Sequence, residues 1–260
     1  MTKEGPSIET PNQANEASTP AALTDEAQQA FQAWLATPPG RYLLDWEQNQ
    51  LDAAVADRFG FHALQLGLPL IDGLRANRMP QRWVVGRDLF CHFDALPFPS
   101  DSLDLVVLPH ALEMAPDPHR LLREVDRVLR PEGRLIILGL NPTSLWGIRQ
   151  RLGQVFLPRS GEFLGYWRLR DWLRLLSYEI EAGRFGLYRP PLRSEVWLER
   201  WRWTERIGAR WWPVLGAAYY LQAVKRVQGT RLVGLKRARR LQPKHATAVA
   251  MNPHSKDVHD

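Results

Sequence analysis

The sequence of 260 residues contains a single cysteine, Cys91, which excludes a fold held together by disulfide bonds. No apolar run approaches the roughly twenty residues that a membrane-spanning helix needs. The first residues, MTKEGPSIETPNQ, lack the apolar core of a signal peptide. None of the seven histidines forms a metal-ligand spacing with Cys91 or with a pair of carboxylates. We therefore expect a soluble, cytoplasmic protein without a resident metal ion.

Acidic residues are missing from one part of the chain. After Glu205 no Asp or Glu occurs until Asp257, although the net charge of the whole chain is only +6. We expect residues 229–260 to form a basic, flexible tail. An anionic membrane is a conceivable partner for this end of the chain, whereas nucleic acid is a weaker candidate.

The centre of the chain predicts a strand, a helix and a second strand. Apolar runs of strand length extend from Leu103 to Leu108 and from Leu135 to Leu140. Both runs are almost entirely apolar, which is typical of parallel strands covered by helices on both faces. Between them, Asp117 is placed to cap a helix that starts at Pro118, and Gly133 is expected to end that helix in the left-handed conformation. The predicted apolar face of the helix comprises Leu121, Leu122, Val125, Val128 and Leu129.

Four pieces of sequence in this order resemble a known family. They are DALPFPSDSLD (94–104), His110, Asp117-Pro118 and LLREVDRVLRPEG (121–133). Together they are similar to the second half of a class I S-adenosylmethionine-dependent methyltransferase domain of the methyltransferase type 11 branch. The resemblance implies an α/β, Rossmann-like sheet that is mostly parallel, with an antiparallel C-terminal hairpin and helices on both faces. It also implies S-adenosylmethionine as cofactor and methyl transfer to an acceptor, which we expect to be a small molecule of unknown identity.

The cofactor loop departs from the family pattern. His62 to Gly67 is predicted to be the first strand, and the family then has a Gly-x-Gly-x-Gly pattern that lets the backbone approach the cofactor. Here the chain reads GLPLIDG, so only Gly67 matches, and Pro69 and Ile71 occupy the other glycine positions. Side chains there are expected to crowd a ligand. The interval from Leu68 to Asp94, only 26 positions, is also short for the family.

The resemblance implies which residues hold the cofactor. Asp94, Ala95 and Leu96 match the family segment that contacts adenine, and Asp94 would accept a hydrogen bond from the adenine amino group. Asp88 is the nearest acidic residue for the ribose hydroxyls, because a carboxylate can accept from both at once. Turn formation and solvation are the alternative roles of these two carboxylates.

His110 lies just past the predicted fourth strand of the family pattern. An imidazole titrates near neutrality, so His110 is a candidate general base. Orientation of the cofactor and a purely structural role are the alternatives for His110. Glu113 shares the position and the same alternatives.

The sequence divides into four parts. Residues 1–22 are expected to be disordered, and residues 23–58 form a helical lead with one helix from Thr24 and another from about Arg41 to Arg58. Residues 59–228 are the methyltransferase-like domain, with an insertion at 141–167 that includes an amphipathic lid from Ser144 to Leu157. An antiparallel hairpin is predicted, with one strand that begins near Tyr178 and a second strand at 216–226. The basic tail, 229–260, completes the chain.

A tryptophan-rich helix is predicted for 194–212 inside that domain. Trp197, Trp201, Ile207 and Trp211 recur at helical spacing. This helix either packs on the domain or, with residues up to 240, contacts a partner protein or a membrane surface. The oligomeric state is not predicted by any of these patterns.

Two functions from different classes fit the sequence. One is an active methyltransferase, for which positioning of donor and acceptor suffices, so the lack of a metal cluster or triad is no obstacle. The other is a non-catalytic relative that has lost cofactor binding and serves as a scaffold, which the eroded glycine loop favours. A nicotinamide dehydrogenase is disfavoured, because no G-x-G-x-x-G follows a predicted strand.

Overall fold

The computed structural model describes residues 29–152 and 163–226. The predicted tails at 1–22 and 229–260 lie outside these residues, as do 153–157 of the predicted lid. The chain divides into units 1–227 and 228–260, and all described residues belong to the first.

A six-stranded mixed sheet forms the centre of this unit. The strands are β1 His62–Gln65, β2 Gln81–Val84, β3 Leu103–Pro109, β4 Leu129–Leu140, β5 Tyr178–Gly186 and β6 Ala218–Lys225. Their order is β2-β1-β3-β4-β6-β5. The first four are parallel to one another, whereas β6 runs antiparallel to both β4 and β5. The predicted mostly parallel sheet with an antiparallel C-terminal hairpin is therefore confirmed.

Helices lie between and around the strands. Residues 29–35 form α1, followed by α2 Pro38–Val55, α3 Ala111–Met114, α4 Pro118–Val128, α5 Leu145–Arg151, α6 Tyr166–Leu175, α7 Glu195–Arg200 and α8 Thr204–Trp211, with a 3-10 turn at Pro213–Leu215. One apolar cluster joins α1 and α2 to one face of the sheet, and a second joins α4 and α6 to the other. The carboxyl ends of the parallel strands lie between these two layers.

The predicted strand, helix, strand unit is present. All seven residues of β3 are buried. Asp117 caps α4 by accepting hydrogen bonds from the backbone N–H groups of His119 and Arg120 at 2.9 and 3.0 Å. The helix buries Leu121, Leu122, Val125 and Val128 against the sheet, as its apolar periodicity predicted.

The predicted role of Gly133 as the left-handed end of α4 is wrong. The helix ends at Val128, and β4 begins at the next residue. The residue with positive φ is Glu132, at 63°. Pro131 explains the early end, because the residue before a proline is disfavoured in the helical conformation. Position 133 has no room for a side chain, because a Cβ there would lie 2.7 Å from the carbonyl oxygen of Arg130.

Two helix predictions differ from the structure in their bounds. The second helix of the lead begins at Pro38 rather than near Arg41, because proline fits the first turn, where its missing N–H is not needed. The tryptophan-rich segment forms two short helices instead of one. Between them Thr204 Oγ1 donates to the carbonyl oxygen of Trp201 at 2.7 Å, which holds a turn.

Candidate active site

The loops that follow β1 and β3 touch at the carboxyl edge of the sheet. Gly67 has a φ of 85°, and a Cβ at this position would lie 2.8 Å from the carbonyl oxygen of Pro109. Only glycine combines this conformation with so close an approach. Ligands of open α/β sheets bind at this edge, so the contact places Gly67 and the segment around His110 at the expected site.

His110 lies at the centre of a buried hydrogen-bond network. Its Nδ1 is 2.7 Å from Oε2 of Glu113, and its Nε2 is 2.7 Å from Oε1 of Glu47. The side chains of His110 and Glu47 have no exposed surface. The backbone of His110 is itself left-handed, with a φ of 56°, which is uncommon for a non-glycine residue and is typical of functional sites.

The two carboxylates determine the charge of the imidazole. Burial alone would lower the pKa of His110, but Glu47 and Glu113 outweigh burial and raise it to about 10. Burial raises the pKa of Glu47, although His110 opposes this shift. The raised pKa favours the imidazolium at neutral pH, in which each ring nitrogen carries an N–H that can donate to a flanking carboxyl group.

The network connects three separate parts of the fold. Glu47 comes from α2, His110 follows β3, and Glu113 lies on α3. Glu113 also accepts a short hydrogen bond from the backbone N–H of Leu140, at the end of β4. The ring of Phe31 in α1 packs edge-on against the imidazole, with 5.0 Å between ring centres. Helices α1 and α2 therefore close the site from above the sheet edge.

One atom of the network lacks a partner. Glu47 Oε2 is buried and makes no hydrogen bond to any described residue. A buried carboxyl oxygen without a donor is energetically costly, which agrees with the raised pKa of Glu47.

The loop after β1 is held by a buried glutamine instead of by further glycines. Gln65 Nε2 donates to the carbonyl oxygens of Gly67, Leu68 and Ile71, the last at 2.8 Å, and its Oε1 accepts from the backbone N–H of Gly73 at 2.9 Å. Ile71 is only 2% exposed and packs in the apolar cluster with other core residues. The side chain of Ile71 thus fills the core beneath the loop.

Asp88 lies beyond the end of β2. Its Oδ2 accepts from the backbone N–H of Val84 at 2.9 Å, and the carboxylate pairs with Arg87. The hydrogen bond with Arg87 is the main reason that the pKa of Asp88 lies below its ordinary value. Asp88 is therefore ionised and remains partly exposed.

Asp94, Ala95 and Leu96 form a turn before β3. The Asp94 carboxylate is 40% exposed and pairs with Arg120 Nε at 3.1 Å. Ala95 is exposed, whereas Leu96 is buried, and the backbone N–H of Leu96 donates to Glu124 Oε1 at 2.8 Å. The Asp94 carboxylate and Ala95 are thus the accessible parts of this turn.

Glu47 and Gln65 were missed by the sequence-based predictions. Glu47 lies in line with Leu43, Leu51 and Val55, every four residues along the buried face of α2. A charged residue within such an apolar stripe is the signal that could have identified it. Gln65 gave a similar signal, as a polar residue in an otherwise apolar strand.

Comparisons with known proteins agree with this geometry. A family model described as a methyltransferase domain matches residues 76–137. The chain is 34% identical over 161 residues to the uncharacterized protein YafS of Escherichia coli (strain K12), a match that spans 58% of this chain and 67% of YafS. The chain belongs to the class I S-adenosylmethionine-dependent methyltransferase family.

A solved structure supports the fold assignment for this family member. The chain is similar to one in a complex of the Haloferax volcanii Trm112 methyltransferase activator with a methyltransferase. The TM-score is 0.56 at 18% identity, and the match covers 78% of this chain and 99% of the other. At this identity the likeness concerns the fold alone.

Two further relatives match over shorter segments. The C-methyltransferase UbiE of ubiquinone and menaquinone biosynthesis from Hahella chejuensis is 49% identical over 52 residues, and a demethylmenaquinone methyltransferase from Listeria welshimeri is 32% identical over 89 residues. The matches span 21% and 38% of these two relatives, and 20% and 33% of this chain.

No helix among residues 29–152 and 163–226 is long and apolar enough to cross a membrane.

A cleft of about 700 Å³ lies between α2 and α7, away from the buried network, and is lined by Tyr42 and Arg189 among others.

Proposed function

We propose that this family member is an active methyltransferase that binds S-adenosylmethionine and transfers its methyl group to a small-molecule acceptor. The observation that carries the proposal is the contact of Gly67 with Pro109 at the carboxyl edge of the sheet. It keeps one glycine of the family's cofactor loop beside the segment that holds His110. The loop that lacks the other two glycines is held by the side-chain amide of Gln65.

In this proposal the cofactor lies across the ends of β1, β2 and β3. Gly67 would approach the methionine part, and Asp94 with Ala95 would contact adenine. Leu96 would pack beneath the adenine ring. Its backbone N–H would not bond to the ring, because it already donates to Glu124. Asp88 would accept hydrogen bonds from the ribose hydroxyls. A carboxylate offers about four acceptor positions, and Val84 and Arg87 do not fill all of them.

The chemistry makes modest demands on the protein. S-adenosylmethionine supplies an activated methyl group, so the protein must chiefly hold donor and acceptor in line. A base is needed only when the attacking atom must lose a proton. The loop that Gln65 holds and the buried network around His110 are suited to positioning the reactants.

We assign His110 a positioning role within this function. Each of its ring nitrogens lies 2.7 Å from a carboxyl oxygen, and its raised pKa favours the protonated imidazole at neutral pH. An imidazolium in this state has no lone pair with which to take a proton from an acceptor. His110 would instead fix α2 and α3 around the crevice.

Calorimetric titration with S-adenosylhomocysteine tests cofactor binding. We expect micromolar affinity for the wild-type protein, and a loss of about tenfold or more for Asp94→Ala, because a hydrogen bond to a charged group contributes about 1.5–3 kcal/mol. Asp171→Ala, which removes an exposed carboxylate from α6, is the matched control and should leave the affinity unchanged. If millimolar ligand gives no heat, the scaffold function replaces the enzyme function.

Turnover is measured separately. The protein is incubated with S-adenosylmethionine and a small-molecule extract of cells, and formation of S-adenosylhomocysteine is followed over time. We expect formation that depends on the extract and that is abolished by Gly67→Val. Equal rates for the wild-type protein and this variant would contradict the proposed site.

A further inference from the structure

A helix that packs on a domain normally turns its apolar residues toward that domain. In α8 the large apolar residues face solvent instead. Its inner face is made by Gly208, against which the ring of Tyr188 packs, and by Glu205, which accepts from the backbone N–H of Tyr188 at 3.1 Å. A Cβ at position 208 would lie 2.3 Å from that ring. The helix therefore approaches the domain closely through its small and polar residues.

The outer face of α8 is apolar and faces solvent. Trp203 just before the helix, and Ile207 and Trp211 within it, follow one another at intervals of four residues and lie on one stripe. Their exposed fractions are 55%, 39% and 71%. We call these three residues the Trp face. Large apolar side chains arranged in a stripe at this exposure are typical of a surface that is covered by a partner.

Positive charge runs alongside the Trp face. Arg206 and Arg210 are exposed, also four residues apart, and neither forms an ion pair with any described residue. The nearby acidic groups are occupied, since Glu199 pairs with Arg202 at 3.0 Å and Glu205 is held on the inner face. The surface of α8 therefore combines tryptophan with uncompensated arginine.

The sequence continues this charge. Residues 206–256 contain eleven Lys and Arg residues and no Asp or Glu. Arg206 and Arg210 thus begin a long stretch of the sequence that carries positive charge only. The partner that complements both features must be anionic over an extended area and must also accept apolar side chains.

An anionic lipid surface meets both requirements. Tryptophan and isoleucine insert at the boundary between headgroups and acyl chains, and arginine lies at the level of the lipid phosphates. We propose that the Trp face, with Arg206 and Arg210, docks the protein on anionic membranes as a peripheral protein. The proposal does not depend on methyl transfer, because no residue of the candidate active site contributes to it.

Co-sedimentation of the full-length protein with vesicles tests this docking. One set of vesicles is phosphatidylcholine alone, and the other contains phosphatidylglycerol at a ratio of about 7:3. We expect binding to the anionic vesicles only, weakened steeply by salt, with a blue shift of tryptophan fluorescence. Failure to bind either vesicle, or equal binding to both, overturns the proposal.

Variants separate the Trp face from the basic end of the chain. The double variant Ile207→Ser/Trp211→Ser and the double variant Arg206→Glu/Arg210→Glu should each bind at least tenfold more weakly. Trp167→Ser and Arg174→Glu, which alter exposed residues of α6, are the matched controls and should bind as the wild-type protein does. Circular dichroism verifies that all four fold. If the α8 variants retain full binding, residues 227–260 alone carry the affinity and the proposal is wrong.

A second copy of the chain is the remaining candidate for this surface. Sedimentation equilibrium of the wild-type protein distinguishes it. A monomer is expected, whereas a dimer that Ile207→Ser/Trp211→Ser dissociates would assign the Trp face to self-association and overturn membrane docking.

Discussion

Glu47 and His110 are joined by a 2.7 Å hydrogen bond although 63 positions separate them in the sequence. Both side chains are completely buried. The bond attaches α2 to the carboxyl edge of the sheet, at the point where Gly67 meets Pro109. The helical lead is therefore a structural part of the site and not a separate appendage.

Loss of the Glu47 carboxylate should destabilise the fold. Removing one partner of a buried charged pair leaves the other charge unsatisfied, so we expect Glu47→Ala to lower the free energy of unfolding by about 3–5 kcal/mol. Glu47→Gln keeps an acceptor for the imidazole and should cost less. Urea denaturation measures both. Asp45→Ala, an exposed carboxylate on the same helix, should change stability by no more than about 0.5 kcal/mol. Equal effects of Glu47→Ala and Asp45→Ala would contradict the network.

The stability contributed by His110 should depend on pH. Its pKa rises from 6.5 to about 10 on folding, so the folded state binds a proton that the unfolded state releases above pH 6.5. This contribution is complete below pH 6.5 and is lost as the pH rises toward 10. We expect the free-energy difference between the wild-type protein and His110→Gln to shrink by up to about 1.4 kcal/mol for each pH unit in this window. Urea denaturation at pH 6, 7.5 and 9 measures it. A difference that stays constant would show that folding leaves the pKa of His110 unchanged.

Gly67 should be intolerant of any side chain. At a φ of 85°, and with Pro109 O only 2.8 Å from the position of a Cβ, Gly67→Ala is expected to cost about 1–3 kcal/mol and to reduce affinity for S-adenosylhomocysteine. Gly165→Ala is the control, because its Cβ would make an ordinary contact of 3.6 Å with Pro142. Thermal denaturation and calorimetry measure the two effects. A Gly67→Ala protein with wild-type stability would mean that the loops after β1 and β3 lie further apart.

Much of the fold followed from local sequence patterns. The apolar runs of β3 and β4, the Asp117 N-cap of α4 and the apolar periodicity of α4 are short-range signals, and the structure confirms them. The end of α4 could not be predicted from Gly133, because Pro131 lies earlier in the chain and already disfavours helix at the residue before it. The bounds of the tryptophan-rich helices were also missed, since Thr204 forms its turn through local hydrogen bonds that compete with a continuous helix.

The site was less predictable, because its bonds connect distant residues. Position after a strand identified His110, but helical periodicity reveals only that Glu47 faces the core and not which residue it meets. The Gln65 side chain holds the loop after β1 through its own hydrogen bonds, so the altered loop could be recognised from sequence while its support could not. The cofactor roles of Asp88 and Asp94 remain predictions.

Arg120 is expected to compete with a ligand for Asp94. Their ion pair is exposed, with Arg120 at 61%, so Arg120→Ala should change stability by less than about 1 kcal/mol. Because the variant frees the carboxylate, it should bind S-adenosylhomocysteine at least as tightly as the wild-type protein. Calorimetry at one ionic strength makes the comparison. A clear loss of affinity would show that Arg120 itself contacts the cofactor.

The most direct test is the crystal structure of the protein with S-adenosylhomocysteine at saturating concentration. We predict that the adenine will lie within hydrogen-bond distance of Asp94 and that the amino-acid part will lie over Gly67, with the bonds of His110 to Glu47 and Glu113 intact. A ligand bound instead in the cleft between α2 and α7, or a crystal with no bound ligand, would contradict the proposed cofactor site.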